Sequence, residues 1–196
     1  RSITNQYESN EKRMGMANLD YPRLAIACIA ALSMTIGLGA LVTHLPISLI
    51  AQGEASSASG PPFTTFALIA TVIMASPLTL LADRRGRIFS LTFGLLLISS
   101  GLVFLGVFNG MLAAITGMAI FGAGFGLLFP TMVTVVTEST SPMTRGRAFG
   151  FFYAVYSLGV VIGSAASGTL AEAYGETSGT PFSLGAVAVL IAIVCI

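Results

Sequence analysis

The sequence predicts an all-α membrane protein with six transmembrane helices and a cytoplasmic N-terminus. Hydrophobic residues make up 55% of the chain and charged residues only 9%, whereas about 25% of a typical soluble domain is charged. Several uncharged runs reach about 20 residues, the length with which a helix crosses the roughly 30 Å hydrocarbon core of a bilayer. All nine Lys and Arg residues lie outside these runs, and their distribution predicts the orientation.

The chain divides into a polar N-terminal segment and a transmembrane bundle. Residues 1–23 are polar and predict a cytoplasmic tail or loop, and residues 24–196 predict the bundle. The final apolar run stops at Ile196 without a polar flank, so we expect a truncated last helix in a piece of a longer protein. A true start at Met14 or Met16 remains open. The predicted spans are 24–50, 63–82, 88–108, 111–136, 148–171 and 181–196.

Short turn signals separate the predicted spans. Residues 52–62 are rich in Gly, Ser and Pro, and Asn109-Gly110 forms a minimal turn. Gly86 permits a tight reversal between the second and third spans. Pro77 lies inside the second predicted span and predicts a kink there.

Positive charge is confined to alternate connections. Residues 1–23, 83–87 and 137–147 hold all nine Lys and Arg residues, while the intervening connections hold only Glu54, Glu172 and Glu176. Cytoplasmic loops carry the excess of Lys and Arg in membrane proteins. The split therefore predicts that the N-terminal segment and the two arginine-bearing loops face the cytoplasm.

Two of the charged segments carry a resemblance to a known family. Asp83-Arg84-Arg85-Gly86-Arg87 resembles the Asp-Arg-x-Gly-Arg loop of the major facilitator superfamily (MFS), which joins the second and third helices of each six-helix half. An Arg-Gly pair also commonly precedes the fifth or eleventh helix of these secondary transporters, as at Arg145-Gly146. The resemblance covers about residues 24–196 and implies one half of an MFS-type bundle.

The resemblance also implies which half this is and what it does. The polar first segment resembles the end of the central cytoplasmic loop, and residues 156–164 resemble an eleventh helix more than a fifth, so the C-terminal half is favoured. The implied function is secondary active transport of a small molecule by alternating access, in efflux or uptake, with H⁺ as the candidate coupling ion. The implied partners are the lipid bilayer and the missing other half. An MFS protein is not an enzyme and needs no cofactor, and we expect the plasma membrane of a prokaryote.

The resemblance assigns a cytoplasmic gating loop to Asp83, Arg84, Gly86, Arg87 and Arg145. Carried over, Asp83 pairs at a neighbouring helix end across the two halves, and the arginines complete a latch that favours one access state. The alternative is that the arginines only anchor the topology.

Small residues in the fourth and fifth spans predict close helix packing. Gly159, Gly163 and Gly168 form a groove on the fifth span, which lets another backbone approach, and we expect it in the sliding interface between the halves. For the glycines of residues 122–126 two interpretations stay open, namely a bendable, cavity-lining helix and simple close packing.

His44 is the candidate substrate or proton site in the predicted spans. One interpretation is a proton relay or a substrate hydrogen bond, because its ordinary pKa lies near neutrality. The other places His44 near the outer interface, hydrogen-bonded to water or to a backbone carbonyl, and the sequence favours it because His44 has no evident partner. Cys28 and Cys195 lack metal-ligand spacing, so no metal site is expected.

Other function classes fit the sequence less well. A net charge of +1 does not suggest nucleic acid as a partner. An intramembrane protease needs a Gly-x-Ser-Gly nucleophile and a histidine on a later helix, and neither is found. A non-transporting membrane scaffold or assembly subunit remains the alternative to a transporter.

Overall fold

The fold is a bundle of helices, seen in a computed structural model that describes residues 20–77 and 86–196. Within these residues the chain forms helices and no strands, which confirms the all-α prediction. A short 3₁₀ helix, Ser56–Ser59, precedes the second α-helix. The α-helices are α1 Tyr21–Ala51, α2 Gly60–Ala75, α3 Arg87–Val107, α4 Met111–Glu138, α5 Arg145–Tyr174 and α6 Thr180–Cys195.

Length and hydropathy make these helices suitable for a bilayer. Helices α1, α3, α4 and α5, together with the helical stretch Ser56–Ala75, are long and apolar enough to span a membrane, whereas α6 is a shorter apolar helix of 16 residues. Proline stands in the first turn of α1, α2 and α6. There its fixed φ suits the helix and its missing N–H costs nothing.

Glycine makes the sharp turns between helices. Gly86 precedes α3 with φ of 107°, and Gly110 precedes α4 with φ of 97°. Side chains disfavour this part of backbone space, and glycine adopts it without strain. Gly86 therefore has the backbone conformation that suits the predicted turn, and residues 78–85, which lead into it, lie outside the described part of the chain.

The second helix ends earlier than its apolar run. The sequence predicted a span over residues 63–82 with Pro77 as an internal kink. Helix α2 ends at Ala75 and Pro77 lies beyond it, while residues 78–82 of the predicted span lie outside the described residues. Ser76 is extended, with ψ of 154°. A residue before proline is pushed out of the helical region by the proline ring, so Ser76 terminates the helix.

Helix α1 occupies the centre of the bundle. It packs against α5 and α6 and, less extensively, against α4 and α3. Helix α3 packs against α4 and α6, and α2 packs against α4. Fully buried side chains of α1, α3 and α4 form the core between them, among them Met34, Leu41, Leu95, Leu102 and Phe121.

Candidate functional site

Charged side chains gather at one end of the bundle, which we call the cationic end. It carries Arg23, Arg87, Arg145 and Arg147, all at or near the start of α1, α3 or α5. The N–H of Asp20 donates to the carbonyl oxygen of Ser139 at 3.2 Å, so the start of α1 adjoins the end of α4. The opposite end of the bundle carries Glu54, Glu172 and Glu176.

Arg87 and Glu138 form a two-point ion pair at the cationic end. Nη2 of Arg87 lies 2.7 Å from Oε1 of Glu138, and Nε lies 3.3 Å from Oε2. The planar guanidinium matches both oxygens of a carboxylate in this geometry. The pair joins the start of α3 to the end of α4, and both side chains are partly exposed.

A second ion pair stands at the start of α1. Nε of Arg23 lies 3.0 Å from Oδ2 of Asp20. Asp20 is also the N-cap of α1, where its side chain accepts from the backbone N–H of Arg23 at 3.5 Å. An acidic N-cap residue stabilises the start of a helix, because its negative charge faces the positive end of the helix dipole.

The structure places only part of the predicted gating loop. Asp83 and Arg84 lie outside the described residues. Gly86 and Arg87 start α3 and Arg145 starts α5, so the three that are described share the cationic end. One partner of Arg87 is Glu138 of this same bundle, a residue that the sequence analysis did not single out. Only its position in an arginine-bearing loop could have suggested it.

A cavity of about 360 Å³ opens at the cationic end between α1, α3 and α4. Its polar lining residues are Arg23, Arg87 and Glu138. The apolar lining residues are Ile26, Ile88, Phe89, Leu91 and Val135. The cavity therefore combines charged and apolar walls at the end of the bundle.

His44 lies towards the opposite end and is fully buried. Its Nε2 lies 2.8 Å from the carbonyl oxygen of Ser178, in the connection between α5 and α6. Its ring packs edge-on against Phe182 of α6, with 5.0 Å between the ring centroids. This contact matches the second interpretation drawn from the sequence, in which His44 is hydrogen-bonded to a backbone carbonyl.

The glycines of α5 divide into two groups. A Cβ on Gly159 would overlap the Thr35 hydroxyl, and one on Gly163 would overlap the carbonyl oxygen of Ile36, both on α1. Nothing lies within 4 Å of a Cβ placed on Gly168. The groove of Gly159 and Gly163 is therefore filled by α1 of the same bundle, whereas the sequence analysis expected it between the two halves.

The glycines of α4 are points of close packing on two sides. A Cβ on Gly122 would come within 2.8 Å of the carbonyl oxygen of Phe66 in α2. A Cβ on Gly124 would come within 2.8 Å of the backbone N of Ile98 in α3. These contacts favour close packing over a bend as the reason for the glycines.

A row of aromatic rings crosses α2, α4 and α5. Ring centroids are 5.4 Å apart for Phe66 and Phe125, 5.5 Å for Phe125 and Phe129, and 6.3 Å for Phe129 and Tyr156. Tyr153 continues the row 6.4 Å from Tyr156. Aromatic pairs favour such separations. The four-residue spacing of Phe125 and Phe129 could have indicated part of this row, but its continuation across helices could not be read from the sequence.

Known proteins resemble this chain in sequence family and in fold. The family model of the Major Facilitator Superfamily matches residues 24–196. A crystal structure of a mutant of the peptide transporter POT matches with a TM-score of 0.71 and 23% identity, over 87% of this chain and 36% of that one. A structure of POT in complex with sulfate matches with a TM-score of 0.70 and 19% identity, over 88% of this chain and 36% of that one.

These likenesses concern a part of a larger fold. The chain spans 36% of the length of the solved transporters that it matches. At this level of identity the structures show a shared fold, whereas the family model covers nearly all of the described bundle. The chain therefore belongs to the major facilitator superfamily.

Proposed function

We propose that the chain is one six-helix half of a secondary active transporter that moves a small molecule by alternating access. The N-terminus is cytoplasmic in this proposal, the helices cross the plasma membrane of a prokaryote, and the chain is the C-terminal half. Family membership and the fold shared with peptide transporters support it. The nine-to-zero division of Lys and Arg between alternate connections supports the orientation.

The observation that carries the proposal is the incomplete burial of α2 and α5. Pro62 and Ala70 are the buried residues of α2. On α5 the buried positions form a narrow stripe that includes Gly159, Gly163 and Ser167 and faces α1. The other apolar sides of α2 and α5 are exposed, and lipid and a second bundle can contact them. Two bundles that rock around a site at the membrane midplane are the basis of alternating access in this superfamily.

The cationic end supplies the gating elements in this proposal. Asp83, Arg84, Gly86, Arg87 and Arg145 belong to the gating loop, and the ion pair of Arg87 with Glu138 fastens α3 to α4 beside it. A partly exposed pair typically contributes about 0.2–1 kcal/mol. That is sufficient to shift the populations of two access states without locking either one.

The described helices favour an apolar or neutral polar substrate. Charged residues of this part of the chain lie near helix ends, and the row from Phe66 to Tyr153 is aromatic. If H⁺ is the coupling ion and binds to a carboxylate within the membrane, that carboxylate belongs to the other half. His44 remains the candidate proton or substrate group of this half, although its contact with Ser178 favours a packing role.

Flux through the full-length protein in proteoliposomes tests the proposal. The substrate panel starts with dipeptides, because the solved structures of similar fold are peptide transporters, and extends to apolar and aromatic small molecules. An internal pH dye reports H⁺ movement. Uptake or release above that of empty liposomes, for any member of the panel, supports transport. Intact, correctly inserted protein without flux across the panel favours the scaffold alternative.

Two variants test the gating loop in the same assay. Asp83→Asn and Arg87→Gln should each reduce flux while leaving the membrane level of the protein unchanged. Arg147→Gln removes a positive charge from the same end, as Arg87→Gln does, and is the matched control for that variant. Equal flux for all three variants and the parent protein would refute the gating role.

A further inference from the structure

The cavity at the cationic end has walls that extend beyond the gating residues Gly86 and Arg87. Guanidinium groups of Arg23 and Arg87 stand in its lining beside apolar side chains of α1, α3 and α4. At about 360 Å³ it falls within the range of about 300–1,000 Å³ that is usual for ligand sites. A ligand that fits such walls has an anionic group and an apolar body.

The cavity is continuous with the apolar outer surface of α3. Ile88 and Phe89 line it and are 57% and 44% exposed. Phe93 is 44% exposed and stacks on Phe89 with 6.1 Å between ring centroids, and Leu96 is 47% exposed. Residues four and seven positions apart lie on one face of a helix. An acyl chain therefore has a continuous apolar path from the cavity along α3.

For helices that cross a bilayer, a cavity at the helix ends falls at the level of the phospholipid headgroups. This cavity lies at the ends of helices whose apolar parts are long enough to cross a bilayer. Arginine side chains at this level extend their charge towards the headgroups and keep their stems in apolar surroundings. A free phosphate would not use the exposed apolar strip of Phe89, Phe93 and Leu96.

We propose that this cavity binds an anionic glycerophospholipid, with the phosphate on Arg23 and Arg87 and an acyl chain along α3. Arginine N–H groups bind phosphate with charge-assisted hydrogen bonds. Arg23 contacts Asp20 through Nε, and a guanidinium has further N–H donors for a phosphate.

Lipid binding in this cavity competes with the ion pair at the same site. Glu138 lines the cavity and already accepts from Arg87. A lipid phosphate competes with the Glu138 carboxylate for the same guanidinium. Bound lipid therefore weakens the ion pair between Arg87 and Glu138.

Native mass spectrometry of the purified full-length protein tests the site, with phosphatidylglycerol as the probe and phosphatidylcholine as the neutral comparison. We expect tighter binding of phosphatidylglycerol. Arg23→Gln should weaken it about tenfold, the equivalent of about 1.4 kcal/mol. Glu138→Gln removes the competing carboxylate and should strengthen it. Arg147→Gln, on the same end but outside the cavity lining, should leave it unchanged.

A second variant and a soluble probe separate this site from its alternatives. Ile26→Trp fills the cavity without changing charge and should abolish the preference for phosphatidylglycerol, in protein that elutes as a single folded species. Equal binding to the parent protein, Arg23→Gln and Ile26→Trp would overturn the site. Displacement of the lipid by glycerol 3-phosphate at equal concentration would show a free-phosphate site instead and would also overturn the proposal.

Discussion

Nε2 of His44 lies 2.8 Å from the carbonyl oxygen of Ser178, so a side chain of α1 holds the connection that leads into α6. A carbonyl only accepts hydrogen bonds, and Nε2 must therefore carry the proton and donate it. Nδ1 is buried, with no hydrogen-bond partner among the described residues. The hydrogen bond from Nε2, the burial of the side chain and the contact with the ring of Phe182 therefore fix the position of His44.

Replacing His44 should destabilise the bundle. His44→Ala removes a fully buried ring and leaves the Ser178 carbonyl without its donor, and we expect a loss of about 3 kcal/mol. Thermal unfolding of the full-length protein in bicelles measures this. Val42→Ala, at a neighbouring position that is 51% exposed, is the control and should change stability by about 0.5 kcal/mol or less. Similar losses for both variants would argue against a stabilising role of the contact between His44 and Ser178.

The glycines of α5 supply a matched pair of substitutions. Gly163→Val places a side chain against the carbonyl oxygen of Ile36, whereas Gly168→Val enters open space. Because overpacking forces backbones apart, Gly163→Val should lower stability by about 1–3 kcal/mol or more. Gly168→Val should be close to neutral. Expression level and unfolding temperature measure the difference, and a reversed order would contradict the packing of α5 on α1.

The ion pair at the cationic end should be weak and reciprocal. Arg87→Gln and Glu138→Gln remove either partner of the pair, and a double-mutant cycle of unfolding free energies should give a coupling of about 0.2–1 kcal/mol. The charge-reversed protein with Arg87→Glu and Glu138→Arg should recover part of that coupling. A coupling of zero would mean that the pair does not hold α3 to α4.

The orientation is open to direct chemical labelling. Met143 is 64% exposed in the connection between α4 and α5, and Ser57 is exposed in the connection between α1 and α2. In a cysteine-free background, a membrane-impermeant maleimide should label Ser57→Cys in intact cells. Met143→Cys should react only after the cells are opened. The opposite pattern would place the N-terminus outside and refute the predicted topology.

The sequence alone determined the class of fold and the arrangement of charge. Uncharged apolar runs long enough for a bilayer predict helices, because in hydrocarbon a single segment satisfies its backbone hydrogen bonds only as a helix. The loop from Asp83 to Arg87, together with Arg145-Gly146 and the pattern of spans, indicated the family, and the family model agrees over residues 24–196. The positive φ of Gly86 also followed from local chemistry, since glycine adopts it freely.

Tertiary structure alone decided which surfaces meet. Glu138 as the partner of Arg87, Ser178 as the partner of His44, and α1 as the helix in the Gly159 and Gly163 groove all join residues far apart in the chain. Helices that are apolar on all sides do not reveal their packing face by periodicity. The bilayer favours every apolar face equally, so close backbone approach and a few polar contacts decide the packing, and these exist only once the helices are assembled.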